Sequence, residues 1–214
     1  MIDVHSPHEP IHGWRDFFLH LTTITIGLLI ALSLEGLVEW QHHRHLVHDA
    51  EASLHAEIKS NADGMPKTLA NLHKNQDDLK HTVDILKVLI ATKKLPHDTM
   101  TIGYSFVTLD SVSWNTAQTT GAISLMPYDL AKEYSSIYLT QQALMASEQQ
   151  AEQETVANIG SFIDTKDSDP DPTPQQAEAM KERIEALQGE LFLVNNLMQG
   201  LSAEYKQFLT AHPN

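Results

Sequence analysis

Five imidazoles fall between His42 and His55 in the stretch HHRHLVHDAEASLH. Neutral imidazole is the commonest metal ligand, so the chemistry to consider first is zinc or copper binding. On a helix turning about 100° per residue, His45, His48 and His55 share one face. Leu46, Val47, Ala50 and Leu54 share another, so the histidine face is expected to point away from the apolar stripe. A site for zinc or copper would need three or four convergent ligands from more than one helix or subunit. The plainer expectation is a solvated polar face and no metal cofactor. A second candidate lies in the segment DTKDSDPDPTP, from Asp164 to Pro174. Asp167, Asp169, Asp171, Thr173, Gln175 and Glu178 occupy the ligand positions of a calcium-loop template. The position that requires glycine for a sharp turn is instead Pro172, whose ring forbids positive φ. We therefore expect an acidic linker over 164–174, not a calcium site.

For catalysis the spacing nominates nothing. The chain has no G-x-S-x-G, no H-E-x-x-H, no phosphate-cradling glycine loop and no dinucleotide fingerprint. It has no cysteine, which removes disulfides, thiolate metal sites and a thiol nucleophile. The expectation is a protein that is not an enzyme, with no catalytic residues and no cofactor. A formal charge of −14, from 28 acidic and 14 basic residues, argues against nucleic acid and anionic surfaces as partners.

The element that must position everything else is the run Trp14 to Trp40, WRDFFLHLTTITIGLLIALSLEGLVEW. No formally charged side chain occurs from Phe17 to Leu34, about the length of a transmembrane helix candidate. At 1.5 Å of rise per residue, Trp14 and Trp40 are expected roughly 39 Å apart, close to the spacing of the two interfacial aromatic belts. We expect a single membrane-spanning helix over 14–40, after a short tail over 1–13. Within it Thr23, Gly27, Ala31 and Glu35 recur every four residues, a narrow stripe suited to helix association. Glu35 and Glu39 lie near the expected interface, where ionisation costs much less than at the midplane. The apolar run is long for a signal peptide and its n-region has no Lys or Arg before Arg15, so an uncleaved anchor is expected. Positive-inside counting, with Arg15 before and Arg44 after, favours an N-in arrangement only by a small margin.

Beyond the span the helical pattern continues through Val47, Leu54, Ile58 and Met65, then meets Pro66, where a break or kink is expected. Leu69, Leu72, Gln76, Leu79, Val83, Leu86 and Ile90 form the seam of a second helix ending near Lys93 and Lys94. A loop with one short helix around 110–120 is expected next. A third helix, long and partly exposed, should begin at Met126-Pro127; its apolar pattern lapses in the glutamine-rich SEQQAEQET and resumes at Val156. The last helix should begin at a capping box of Thr173 and Gln176 with Pro174 in its first turn. Its stripe runs from Ala177 to Phe208 in steps of three and four, widened by Phe192, Leu193 and Leu197 as in a bundle interior. The fold class expected is all-α: one N-terminal transmembrane helix continuing into an extramembrane helical bundle over 41–214, with long antiparallel helices.

Two stretches carry a resemblance. In the first are Ile30-Ala31-Leu32 and Glu57-Ile58 with Asn61, and in the second Trp114, Gly121, Leu125, Leu130 and Tyr138. Together they resemble uncharacterised single-span bacterial membrane proteins of domain-of-unknown-function type. The resemblance implies a bacterial inner-membrane protein with a helical domain, and it brings no activity with it. Physically, the segment from Trp114 to Tyr138 suits a structural corner, and a ligand pocket is its sharper alternative.

Together these expectations describe a membrane-anchored structural or interaction protein, an oligomeric or accessory subunit with the bilayer and other transmembrane helices as partners. Its domain is expected on the periplasmic side. The alternative is a membrane-bound sensor or binding module for a small ligand or metal.

Overall fold

The structure is a computed structural model and describes residues 13–103, 108–163 and 172–213. Five helices follow in order: α1 (Trp14–Thr92), α2 (Val112–Thr119), α3 (Ala122–Leu125), α4 (Tyr128–Ile163) and α5 (Pro174–Ala211). The described chain is all-α. It divides into two compact units, 1–49 and 50–214. Residues 1–12 and 164–171 lie outside the described residues. So do most of the expected tail and linker, and Asp167, Asp169 and Asp171 among the candidate ligands.

In the first unit the helical residues are those of α1 up to Asp49. Its apolar window has a mean hydropathy of 2.1 and none of it is buried, which meets the length and composition needed to cross a membrane. Three hydroxyls within this window are satisfied by the helix's own backbone. Thr23, Thr25 and Ser33 donate their hydroxyls to the carbonyls of Leu19, Leu21 and Leu29, one turn back. Trp14 packs edge-on against Phe18, with ring centroids 5.1 Å apart, and the Arg44 guanidinium sits 5.5 Å from the Trp40 ring.

The second unit is built from the α1 residues beyond Asp49 with α4 and α5, the short α2 and α3 lying in the connection between α1 and α4. Side-chain bonds fix the helix directions. His55 and Gln76 of α1 reach the carbonyls of His212 and Leu191, so α1 and α5 run antiparallel. Thr140 and Gln150 of α4 donate to Glu204 and Glu190, so α4 and α5 are antiparallel too. α1 and α4 therefore run the same way, and the connection carrying α2 and α3 must return the chain to the starting end. The core between the helices is aliphatic, with Leu54, Ile58, Leu72, Leu79, Leu86, Leu144, Ile184, Leu187, Leu191 and Val194 essentially without solvent exposure. These are the stripe positions that the spacing of three and four nominates. The start of α5 also matches its expectation: Thr173 accepts from the Gln176 N–H, Gln176 bonds back to Thr173 N, and Pro174 stands in the first turn.

Two expectations are corrected. Of the break or kink expected at Pro66, the break does not occur, and one helix continues from Trp14 to Thr92. Pro66 is exposed, while Met65 and Leu72 beside it are fully buried, so packing holds the helix through the missing hydrogen bond. α4, by contrast, is the one long helix expected, continuous through the glutamine-rich stretch, where Glu148 and Thr155 are buried. Phe192 and Leu193, expected to widen the buried stripe of α5, are instead 64% and 47% exposed. The helix turns them past the seam that α1 and α4 fill.

Since proline costs about 3 kcal/mol in a helix interior, Pro66→Ala should stabilise the second unit by roughly 1–3 kcal/mol. Chemical denaturation should show the midpoint rising. A falling midpoint would mean that the backbone at this position depends on the ring.

Candidate functional site

The densest polar cluster lies where α1, the segment before α2, α4 and α5 meet. Its centre is Glu57, only 8% exposed. One carboxylate oxygen accepts from the Tyr138 hydroxyl at 2.6 Å and the other from the Ser113 backbone N–H at 2.7 Å. Ser113 stands in the first turn of α2, whose own N-cap residue, Ser111, makes no side-chain capping bond. Glu57 caps α2 from another helix, satisfying a donor that every helix start leaves free.

One turn along α1, Asn61 reads the peptide of Asp110 on both sides. Its Nδ2 donates to the Asp110 carbonyl at 2.9 Å, and its Oδ1 accepts from the Asp110 N–H at 3.0 Å. Gln141 of α4 donates to the same carbonyl at 2.9 Å, and its Oε1 accepts from the Tyr205 hydroxyl of α5 at 2.7 Å. Trp114 closes the cluster by lying flat on Tyr138, with ring centroids 4.8 Å apart and planes 10° from parallel. Trp114 is 5% exposed, so the corner is filled by the indole itself. Gly121, with φ at 78°, supplies the left-handed turn between α2 and α3, and α4 begins just after Pro127.

The electrostatics follow from burial. Tyr138 is pushed well above the ordinary tyrosine range, first by burial, then by its bond to the Glu57 carboxylate and by that charge. Tyr205 is also raised, chiefly by burial; its bond to Asn61 pulls the other way and the Glu57 and Glu204 charges add to the rise. Tyr134 is pushed up to about 12 by burial and by the nearby Glu51 and Glu133 carboxylates. All three phenols are held neutral, Tyr138 and Tyr205 as hydrogen-bond donors and Tyr134 as a ring surface against Phe208. A second, smaller cluster forms at the end of α5. His55 Nε2 lies 2.9 Å from the His212 carbonyl, His212 Nε2 lies 2.7 Å from Glu133, and Phe208 packs between Tyr134 and His212 at 5.0 and 4.7 Å.

Compared with protein-family models, with curated proteins and with solved structures, the chain matches none.

The candidate residues named from spacing fare unevenly. His45 and His48 are exposed, and His48 lies 3.5 Å from Asp49. His55, expected on a polar face turned away from the apolar stripe, is 8% exposed and tied to the end of α5. The C-terminal carbonyl of another helix makes that position a buried one. Among the described residues no group of three or more His, Asp or Glu side chains could hold a metal ion. Thr23, Gly27, Ala31 and Glu35 are all exposed, with open space around the Gly27 position, and Trp14 and Trp40 are exposed as well.

Glu57 and Asn61, noted in the sequence only as points of resemblance, come together in the cluster with Trp114 and Tyr138, the two ends of the segment expected to form a structural corner. Tyr205 falls on the expected stripe of the last helix, whereas Gln141 and Ser113 carried no signal by themselves. The usable clue was a polar residue in a stripe position: Asn61 fills the step between Ile58 and Met65, and Gln141 falls one turn after Tyr138.

Removing the carboxylate in Glu57→Ala leaves two buried donors unmatched, so unfolding free energy should fall by about 2–4 kcal/mol, read from Trp114 fluorescence in denaturant. Glu57→Gln keeps an acceptor for one donor and should lose less; equal losses would mean that the hydrogen bonds are not what matters. Raised phenol values also set an alkaline limit. Below pH 10, where phenols are ordinarily neutral in folded and unfolded chains alike, their contribution is complete. As pH climbs from 10 towards 12 the unfolded tyrosines ionise while the buried ones do not, so stability is lost through that interval. Denaturation at pH 9 and pH 11 should show the drop, and Tyr134→Phe should make it shallower.

Proposed function

We propose that the chain is a membrane-anchored structural or interaction protein, without catalysis, acting as an oligomeric or accessory subunit of a membrane assembly. The observation that carries this is the apolar window of α1. Leu19, Ile24, Leu28, Leu29, Ile30, Leu32 and Leu34 are each 54–69% exposed, with no protein surface over them. A core helix of a soluble protein would bury such a face. The hydroxyls of Thr23, Thr25 and Ser33 are bonded to the helix's own backbone, as suits an apolar surrounding. Trp14 and Trp40 at the two ends suit the headgroup regions, and the bilayer is the natural cover. Bacterial inner-membrane placement, a single pass and a periplasmic second unit complete the proposal, with the N-terminus inside.

The second unit supports a scaffolding rather than a chemical role, because the polar groups of the Glu57 cluster are spent on structure. Glu57, Asn61 and Gln141 each bond to backbone or to a tyrosine that holds helices together. The test is fractionation of cells expressing the full chain. Alkaline carbonate should leave the protein in the membrane pellet, and release into the supernatant would overturn the anchor. A C-terminal reporter active only outside the cytoplasm should be active; activity of a cytoplasm-only reporter would reverse the orientation.

A further inference from the structure

The surface of the second unit is electrically uneven. Along α1, nine formal charges fall between Lys59 and Lys87. Residues 134–151 of α4 carry one, Glu148, which is buried. Residues 186–203 of α5 also carry one, Glu190, which accepts from Gln150 of α4. The two segments lie side by side, since Thr140 meets Glu204 and Gln150 meets Glu190. In a chain of net charge −14 they form one face with almost no exposed charge.

That face is corrugated with apolar and small groups. At about 100° per residue, Leu139, Ala143 and Ala146 line the outer side of α4, away from its buried positions Ile137, Gln141 and Leu144. On α5, Leu193, Leu197 and Gly200 line the corresponding side, flanked by exposed Phe192. Leu139 and Leu193 are 68% and 47% exposed, and nothing lies within 4 Å of the position a Gly200 side chain would take. Large residues alternate with small ones, so a copy of the same surface turned end for end can set leucines against alanine and glycine. The extent is adequate. Eighteen residues of two adjacent helices span roughly 27 by 20 Å, about 540 Å² in projection, on the order of the 800 Å² of accessible surface each partner of a stable complex covers.

We propose that the outer face of the α4–α5 hairpin is a homodimer interface, occupied by the same face of a second copy of this chain. Like-charge repulsion would oppose self-association through the acidic remainder of the surface; here it is absent. The proposal deepens the interaction role above by naming its partner, and it does not depend on how the apolar window of α1 is covered.

The natural absence of cysteine makes the test clean. Single variants Leu139→Cys, Ala143→Cys, Ala146→Cys and Gly200→Cys of the full chain are oxidised in mild detergent beside a Lys87→Cys control. At least one of the four should form disulfide-linked dimer well above the control, and should do so equally in a Gly27→Leu background, which removes association through the anchor. The double variant Leu139→Lys, Leu193→Lys should retain its helical content and weaken dimerisation, measured by light scattering, roughly tenfold or more. If no position exceeds the control, or if the double variant keeps the parent's dimer affinity, the proposal is overturned. Cross-linking lost only in the Gly27→Leu background would assign association to the anchor and also overturn it. None of these outcomes bears on membrane extraction, so the two conclusions fail separately.

Discussion

A carboxylate with only 8% of its surface in water needs hydrogen bonds on both oxygens, and Glu57 receives one from a tyrosine of α4 and one from the backbone of α2. Removing ionised carboxyl groups from water costs several kcal/mol unless donors replace the lost solvent. Satisfying that need fixes three elements at once. α1 supplies the carboxylate, α4 is held at the level of Tyr138, and the first turn of α2 is brought down onto the bundle. Asn61 and Gln141 repeat the pattern on the Asp110 peptide, and Tyr205 extends it to α5. The aliphatic seam makes the helices adhere, but apolar contacts are non-directional and tolerate sliding by a turn. The polar cluster specifies the register.

The same cluster explains how α2 and α3 are held in place. α2 has eight residues and α3 has four, both too short to be stable alone. Their stability is borrowed through a capping carboxylate from α1, a flat Trp114–Tyr138 stack and the buried Ala117 and Ala122.

Much of the fold was legible because its signals are local or periodic. The stripe from Ala177 to Phe208 lies on one helix, the Thr173–Gln176 box needs only four residues of sequence, and the apolar run of α1 is defined by composition. What escaped was set by contacts distant in sequence. Pro66 breaks an isolated helix, yet Met65 and Leu72 on the same helix are buried by tertiary packing. His55 looked solvated because nothing near it in sequence announces a carbonyl 157 positions away. Phe192 and Leu193 looked buried because hydrophobicity says that a surface should be covered, not by what. Of the cluster around Glu57, the Trp114 to Tyr138 corner was legible, but the polar groups that α1, α4 and α5 bring to it were visible only as scattered letters.

Sequence separation also grades the contacts of the second unit. The α4–α5 pairings Gln150–Glu190 and Gln141–Tyr205 close segments of 40 and 64 residues, Asn61–Asp110 and Glu57–Ser113 close 49 and 56, and Glu57–Tyr138 and His55–His212 close 81 and 157. Loop-closure entropy rises with that separation, so the near partners cost least to bring together. Glu57 holds a near partner on α2 with one oxygen and a far one on α4 with the other, so a single carboxylate joins the shorter-range contacts of α1 to its longer-range ones.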